Sequence, residues 1–405
     1  MEIKDVNPEH IKKADIIVGI PSYNEAKNIS YPVIQADLGL LKYFNKFSSV
    51  IINCDNNSPD NTRDVFLETP TESPKIYLST PRGIKGKGNN FRNLFNKATQ
   101  LKAKAIIVID ADLKSITPEW INKLGEPLFL DYDYVAPIYL RHKYDGTITN
   151  NIAYPLLRSL YGRRIRQPIG GDFGFSNKLC SKYLNNNSWD YNISNFGIDI
   201  WMTNNAITNG SLVCQAFLDA PKVHEPKDPG SQLGTMFIHV IGTIFNLMEK
   251  YDHFWLKVKG SKPTAIFGFG LGERVLPPKI SVSLEKLYNN FNTGLKEFYS
   301  LWENIIEKEH RNRLIDIACR KIENFEIPME LWAKILYDFS LNYHIYLEKR
   351  KEILTSLVPL YHGQTLSYAR ATWEMDAKQA EEYIEKLCFT FEEQKPYLVK
   401  RWKKN

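Results

Sequence analysis

The sequence predicts an α/β first half built on a parallel sheet, followed by an all-helical second half. Three observations carry this. Residues 16–20, 50–53, 75–78 and 106–109 are short runs rich in β-branched side chains, and helical spacing fills the intervals at 29–47, 63–68 and 91–101. Strands alternating with helices at this spacing form βαβ units with right-handed crossovers. Beyond about Gly230, residues 285–309, 311–324, 328–353 and 378–402 carry apolar residues at i, i+3 and i+4, with no alternating runs. The third observation is the run Ala105-Ile106-Ile107-Val108-Ile109-Asp110-Ala111-Asp112. Its apolar part reads as a strand buried on both faces.

Along that run, successive side chains of an extended chain point to opposite sides, so Asp110 and Asp112 are expected to face the same way. Open α/β sheets bind ligands at the carboxyl ends of their strands. Two like-facing carboxylates there repel unless a cation compensates them. Mg²⁺ or Mn²⁺ suits the place, because such ions take one or two carboxylates and complete their shell with substrate phosphates.

The other strands of the first half end in loops of matching character. Pro21-Ser22-Tyr23-Asn24-Glu25 offers polar backbone, and Glu25 a carboxylate for a base or ribose. The turn from Cys54 to Asp60 offers Asp55 and Asn56, both able to read a base edge. Gly83-Ile84-Lys85-Gly86-Lys87-Gly88 puts two lysines on glycine-flanked backbone suited to close approach by a phosphate. Between about Tyr132 and His224 the pattern loosens into aromatic and Gly-rich pieces. A domain change is placed near 226–230, where Pro and Gly interrupt, dividing the chain into residues 1–228 and 229–405. The stretch 236–248 reads as a buried helix. Gly268-x-Gly270-x-Gly272 lacks a preceding strand and a Lys-Ser/Thr ending, so it reads as a flexible turn.

At 405 residues two domains are the default. The net charge of +6 is modest and the cations are scattered, so an anionic small molecule is expected rather than nucleic acid. Five widely spaced cysteines without a CxxC pair indicate neither a zinc site nor a disulfide framework. With no apolar stretch long enough for a membrane span and no signal-peptide pattern at the start, a cytoplasmic location is expected.

Further motifs sharpen the picture: Arg141-x-x-x-Asp145-Gly146-x-x-Thr149, Gln167-Pro168-Ile169-Gly170-Gly171-Asp172, Phe196-Gly197-Ile198-Asp199 and, closing the series, His224. With Gly86-Lys87-Gly88 and Asp110-Ala111-Asp112, this order resembles glycosyltransferases of the GT-A fold, particularly glycosyltransferase family 2. Within that class it resembles the retaining enzymes that glycosylate glycerate: mannosylglycerate, glucosylglycerate and glucosyl-3-phosphoglycerate synthases. The resemblance covers roughly residues 14 to 225. It implies a Rossmann-like nucleotide-sugar-binding domain followed by the helical domain. It also implies a divalent metal on Asp112 and His224, Asp110 on the ribose or sugar hydroxyls, and Lys87 on the nucleotide or phosphate. Asp199 falls beside the sugar hydroxyls near the reacting carbon, and Gln167, Gly170, Gly171 and Asp172 line the substrate site.

The acceptor falls on Arg141, Asp145, Gly146 and Thr149. An arginine fork matches a carboxylate with two charge-assisted bonds. The phosphoglycerate-using enzymes carry an arginine where this chain has Thr147, and His-Arg-Asn where it has His224-Glu225-Pro226, so free D-glycerate is expected over 3-phosphoglycerate. The implied reaction moves a hexose, glucose or mannose, from a GDP-, UDP- or ADP-sugar to the 2-hydroxyl of glycerate with retention, as in compatible-solute synthesis. A nucleotidyltransferase is an alternative, disfavoured because Pro21 to Glu25 replaces the expected Gly-rich basic loop. A non-catalytic scaffold is another, disfavoured because Asp112 and His224 are both present. The helical half is expected to pack on the catalytic domain, cover the acceptor pocket or build a homodimer.

Overall fold

A computed structural model describes residues 4–224, 233–268 and 277–404. Its strands are β1 (Lys4–Val6), β2 (Ile16–Ser22), β3 (Ser49–Asp55), β4 (Lys75–Ser79), β5 (Ala105–Val108), β6 (Tyr134–Leu140), β7 (Arg163–Arg164), β8 (Phe173–Ser176), β9 (Val213–Pro221), β10 (Lys262–Pro263) and β11 (Ala265–Phe267). The helices of the first half are α1 (Ser30–Tyr43), α2 (Thr62–Glu68), α3 (Lys87–Gln100), α4 (Pro118–Gly125), α5 (Tyr154–Tyr161), α6 (Asn177–Leu184), α7 (Tyr191–Ser194) and α8 (Ile198–Thr208). Those that follow are α9 (Gly234–Lys250), α10 (Asp252–Trp255), α11 (Leu284–Ile305), α12 (Lys308–Ala318), α13 (Met329–Ile345), α14 (Arg350–Ala371) and α15 (Ala377–Trp402).

Nine strands form one sheet in the order β1-β4-β3-β2-β5-β8-β6-β9-β11. From β4 through β5 the pairs are parallel, as the alternating pattern requires. β8 runs antiparallel to both β5 and β6, and β6 with β9 resumes parallel pairing. The buried faces of β2, β3 and β5 pack Ile16, Val18, Ile51 and Ile107 against α1 and α4, through Val33, Leu40, Trp120 and Ile121. The parallel strands thus end at one rim, carrying Ser22, Asp55, Ser79 and Val108. Strands β6, β8 and β9 lie where the sequence pattern loosened: β8 is short and glycine-bearing, and β6 and β9 mix aromatic, proline and polar residues without a regular alternation.

The chain divides into two compact units. One comprises residues 1–141, 165–225 and 264–278, the other 142–164, 226–263 and 279–405. A single cut at 228 therefore misassigns two segments. Residues 142–164 leave the sheet after Leu140 and join the helical unit, where Arg158 on α5 pairs with Glu385 and with Glu392 of α15. Residues 265–267 return to the sheet as β11, extending it in parallel beside β9.

In the helical unit the expected helices at 285–309 and 378–402 appear as α11 and α15, and that at 236–248 as α9, while that at 311–324 is shorter, with α12 ending at Ala318 and a separate 3-10 turn at Ile322–Asn324. The expected helix at 328–353 is two helices, because α13 stops at Ile345, where Arg350 Nε donates to the Tyr343 carbonyl at 3.1 Å. α14 runs past Ile353 to Ala371 although Pro359 lies inside it, where an interior proline normally breaks a helix. The ring is accommodated against Gly294 of α11, where an added Cβ would lie 2.1 Å from the proline. Of the Gly268-x-Gly270-x-Gly272 stretch, Gly270 and Gly272 lie outside the described residues, and Gly268 has φ +77°. No described helix is long and apolar enough to cross a membrane.

Candidate functional site

β5 ends at Val108, where Ile109 N still donates to the Gly19 carbonyl at 3.1 Å, and residues 111–112 form a turn. The same-face argument for Asp110 and Asp112 therefore does not hold, because it assumed an extended chain through all three residues. Asp110 is instead gripped from two sides. Lys87 Nζ lies 3.0 Å from Asp110 Oδ1 and 3.3 Å from Asp199 Oδ2. Lys222 Nζ lies 2.7 Å from Asp110 Oδ2 and 2.8 Å from Asp172 Oδ2, and donates to the Gly170 carbonyl at 2.8 Å. Two lysines and three aspartates thus form one alternating cluster at the carboxyl ends of the strands.

Electrostatics follow from that alternation. Burial favours the neutral form of every member, and the neighbours decide which group yields. For Asp110, burial is overcome by Lys222 and Lys87, which hold its pKa far below the usual carboxylate range. Burial likewise works against charge on Lys87 and Lys222, but the facing carboxylates raise both above the ordinary lysine value. Asp172 and Asp199 go the other way, pushed up by burial with Asp110 adding repulsion. Lys87 is the first residue of α3, where the helix dipole disfavours a cation. Its position is explained by Asp110 and Asp199. Asp199 stands in the first turn of α8, where an acid suits the dipole. Its Oδ1 is buried and has no hydrogen-bond partner among the described residues.

Asp172, expected to meet substrate, is fully buried and committed to the protein. Its Oδ1 accepts from Asp110 N at 2.8 Å, and its Oδ2 takes Lys222 and the Tyr139 hydroxyl. It is a positioning residue for Asp110. The paired glycines before it are required by geometry. Gly170 packs on the Pro137 ring, and Gly171, at φ +88°, would place a Cβ 2.2 Å from Asp110 Oδ2. Gly171→Ala is therefore expected to lower stability by about 1–3 kcal/mol and to displace Asp110; a denaturant midpoint equal to the parent's would contradict this. Gln167 is buried, with its Oε1 unpartnered among the described residues.

At the other end of the rim, Pro21 and Ser22 close β2 and are buried. Asp55, expected to read a base, has both oxygens occupied. Ser22 Oγ donates to Oδ1 at 2.8 Å and Ser58 Oγ to the same oxygen at 2.6 Å, while Ser58 N and the Tyr77 hydroxyl donate to Oδ2 at 2.6 and 2.9 Å. Four donors saturate a carboxylate, so Asp55 locks the loop and leaves no lone pair for a ligand. Asn56 beside it is buried, with Oδ1 unpartnered among the described residues. Glu25 accepts from Asn28 Nδ2 at 2.8 Å. The glycines around Lys87 also act differently from expectation. Added Cβ atoms at Gly86 and Gly88 would lie 2.2 and 1.8 Å from the Ser194 and Ile193 carbonyls, so the close approach they permit is by the protein's own backbone.

Asp112 and His224 are both half-buried, and backbone bonds tie their loops together. Lys114 N donates to the Val223 carbonyl at 2.9 Å, and Val223 N donates to Ser115 Oγ at 2.9 Å. Among the described residues no three His, Cys, Asp or Glu side chains gather to hold a metal. One carboxylate and one imidazole on adjoining loops fit an ion that takes its remaining ligands from phosphate oxygens and water. Arg141 ends the sheet unit with its guanidinium 5.0 Å from the Tyr139 ring centroid. Asp145, Gly146 and Thr149 belong to the helical unit; Thr149 is buried, and Thr147 is spent on the Tyr361 hydroxyl at 2.5 Å. Glu225 and Pro226 lie outside the described residues.

Sequence reasoning missed Lys222 and Tyr139. Lys222 is 112 positions from Asp110, and an isolated lysine after a strand carries no signal of so distant a partner. Tyr139 lies in a strand that the sequence pattern did not reveal.

Residues 71–245 match the family model of the mannosylglycerate synthase GT domain. The mannosylglycerate synthase of Rhodothermus marinus is 26% identical over 178 residues, 43% of this chain and 44% of the relative, so the chain spans less than half the length of that relative. Glucosyl-3-phosphoglycerate synthase from Mycobacterium tuberculosis, solved with Mg²⁺ and UDP, is 20% identical, with 57% of this chain and 79% of the other covered at a TM-score of 0.47. The same enzyme with Mn²⁺, UDP and phosphoglyceric acid covers 57% and 78% at 20% identity and a TM-score of 0.44. The matched segment, residues 71–245, holds Lys87, Asp110, Asp199 and His224 and is similar to the GT domain of mannosylglycerate synthase.

Proposed function

We propose that this chain transfers a hexose from a nucleotide-sugar to the 2-hydroxyl of D-glycerate with retention of configuration. One observation carries the reading: within the matched segment, Lys87, Asp110, Lys222 and Asp199 form a partly buried cluster in which one Asp199 oxygen has no donor among the described residues. A sugar hydroxyl is the donor that oxygen suits. Asp110, held ionised by two lysines, accepts from a further hydroxyl of the ribose or the hexose. Lys87 supplies positive charge beside the departing diphosphate, and Arg141 pairs with the acceptor carboxylate. Asp145, Gly146 and Thr149 remain the proposed acceptor contacts. Asp112 and His224 would hold a Mg²⁺ or Mn²⁺ ion, which when bound neutralises diphosphate charge.

In the transfer, the bond from the anomeric carbon to the phosphate oxygen breaks and a bond to the glycerate 2-oxygen forms on the same face. The glycerate hydroxyl proton goes to the departing phosphate. Asp199, already hydrogen-bonded to Lys87, then serves to orient the sugar, and no side chain has to act as a base.

The test is turnover with UDP-, GDP- and ADP-hexoses against D-glycerate and 3-phosphoglycerate. Glycosylglycerate with retained configuration supports the reading. A tenfold or greater preference for 3-phosphoglycerate, about 1.4 kcal/mol in kcat/KM, overturns the acceptor assignment. Turnover with neither acceptor overturns the function. Arg141→Lys should raise the glycerate KM strongly and leave donor affinity nearly unchanged, since an ammonium cannot reproduce the fork.

A further inference from the structure

We propose that the helical unit sets acceptor affinity, with Lys143 as the positioning residue that fixes the loop carrying Asp145, Gly146 and Thr149. This rests on the acceptor assignment above, and it gives the helical half a role that its sequence does not state.

The last turn of a helix leaves carbonyls without partners and favours a cation. α14 ends at Ala371, and Lys143 Nζ donates to the carbonyls of Thr372, Trp373 and Met375 at 2.6, 2.8 and 2.8 Å. An ammonium has three protons, so Lys143 is fully committed to this end of α14 and has none left for a ligand. Return bonds run the other way. The Tyr368 hydroxyl donates to the Lys143 carbonyl at 2.8 Å, and the Tyr144 hydroxyl to the Ala369 carbonyl at 3.1 Å. Further along the loop, Thr147 Oγ1 meets the Tyr361 hydroxyl at 2.5 Å, and Gln364 Nε2 reaches Asn151 Oδ1 at 3.3 Å.

Tyr361, Gln364 and Tyr368 recur at three- and four-residue spacing, which places them on one face of α14. That face holds the loop at residues 143, 144, 147 and 151. Between these anchors Asp145 and Gly146 are half-buried. The π-turn at Thr149–Ala153 follows directly, and such irregular turns cluster at functional sites. Loosening the anchor should therefore disorder the acceptor contacts and leave the donor cluster, built on other elements, intact.

The experiment compares the full chain with Lys143→Met, Lys143→Arg and Tyr361→Phe by amide hydrogen exchange and by steady-state kinetics. Lys143→Met is expected to speed exchange across residues 144–153 and to raise the acceptor KM about tenfold or more, with the donor KM changed by less than about twofold. Lys143→Arg should recover most of the acceptor KM, because it restores a cation at the helix end. If Lys143→Met does not fold, Tyr361→Phe, which removes only the hydroxyl facing Thr147, should move the same two readouts in the same direction. Unchanged exchange at 144–153 overturns the proposal, as does an equal rise in both KM values. Wild-type protein that glycosylates no acceptor overturns the functional reading, and this inference with it. An active wild type with a kinetically silent Lys143→Met overturns this inference alone.

Discussion

Asp112→Ala and His224→Ala should each lower turnover about 100-fold or more, with secondary structure by circular dichroism unchanged. The two residues sit on loops joined through Val223, Lys114 and Ser115, so each variant removes one of the two proposed metal donors and leaves the scaffold bonds in place. Because the protein offers so few ligands, the ion should bind weakly alone and tightly with a nucleoside diphosphate. Calorimetric titration of Mn²⁺ should therefore give strong binding only when UDP or GDP is present, and neither variant should reproduce it. Full turnover after exhaustive chelation would remove the metal from the reaction altogether.

Lys222→Met is expected to be the most destabilising single change in the sheet unit, at about 3–5 kcal/mol. Its ammonium is the cation that bridges the Asp110 and Asp172 carboxylates, and its side chain is 3% exposed. Removing it leaves the buried Asp172 carboxylate facing the half-buried Asp110 without the intervening cation. Turnover should fall as well, since Asp110 would lose one of the two lysines that keep it ionised. A second variant separates the causes. Lys222→Met with Asp172→Asn deletes the stranded charge and should regain a substantial part of the lost stability, measured by denaturant midpoint. A Lys222→Met midpoint within about 0.5 kcal/mol of the parent would mean the cluster is not the electrostatic unit described.

Particular residues show why some of this site could be read from sequence and some could not. Lys87, Asp110 and Asp199 were legible because each lies in a short motif whose glycines and neighbours mark a loop or a helix start. Asp55 was legible as a polar residue at a strand end, but its four internal donors reverse the role expected of it. Asp172 changed in the same way, from a ligand contact to the partner of Lys222, Tyr139 and the Asp110 backbone. A lone pair is either free or taken, and only the folded neighbours decide which.

The sequence by itself determined the alternation of strands and helices, the helical second half, and the positions of the strand-end loops. These follow from periodicity and turn chemistry, which act between residues a few positions apart. Tertiary structure alone decided that 142–164 belongs with the helices, that β6, β8 and β9 complete the sheet, and that Lys222 shares Asp110 with Lys87. Those outcomes depend on pairings across long stretches of chain, between strands whose residues show no regular alternation and between charges far apart in sequence, where burial makes an unpaired one costly.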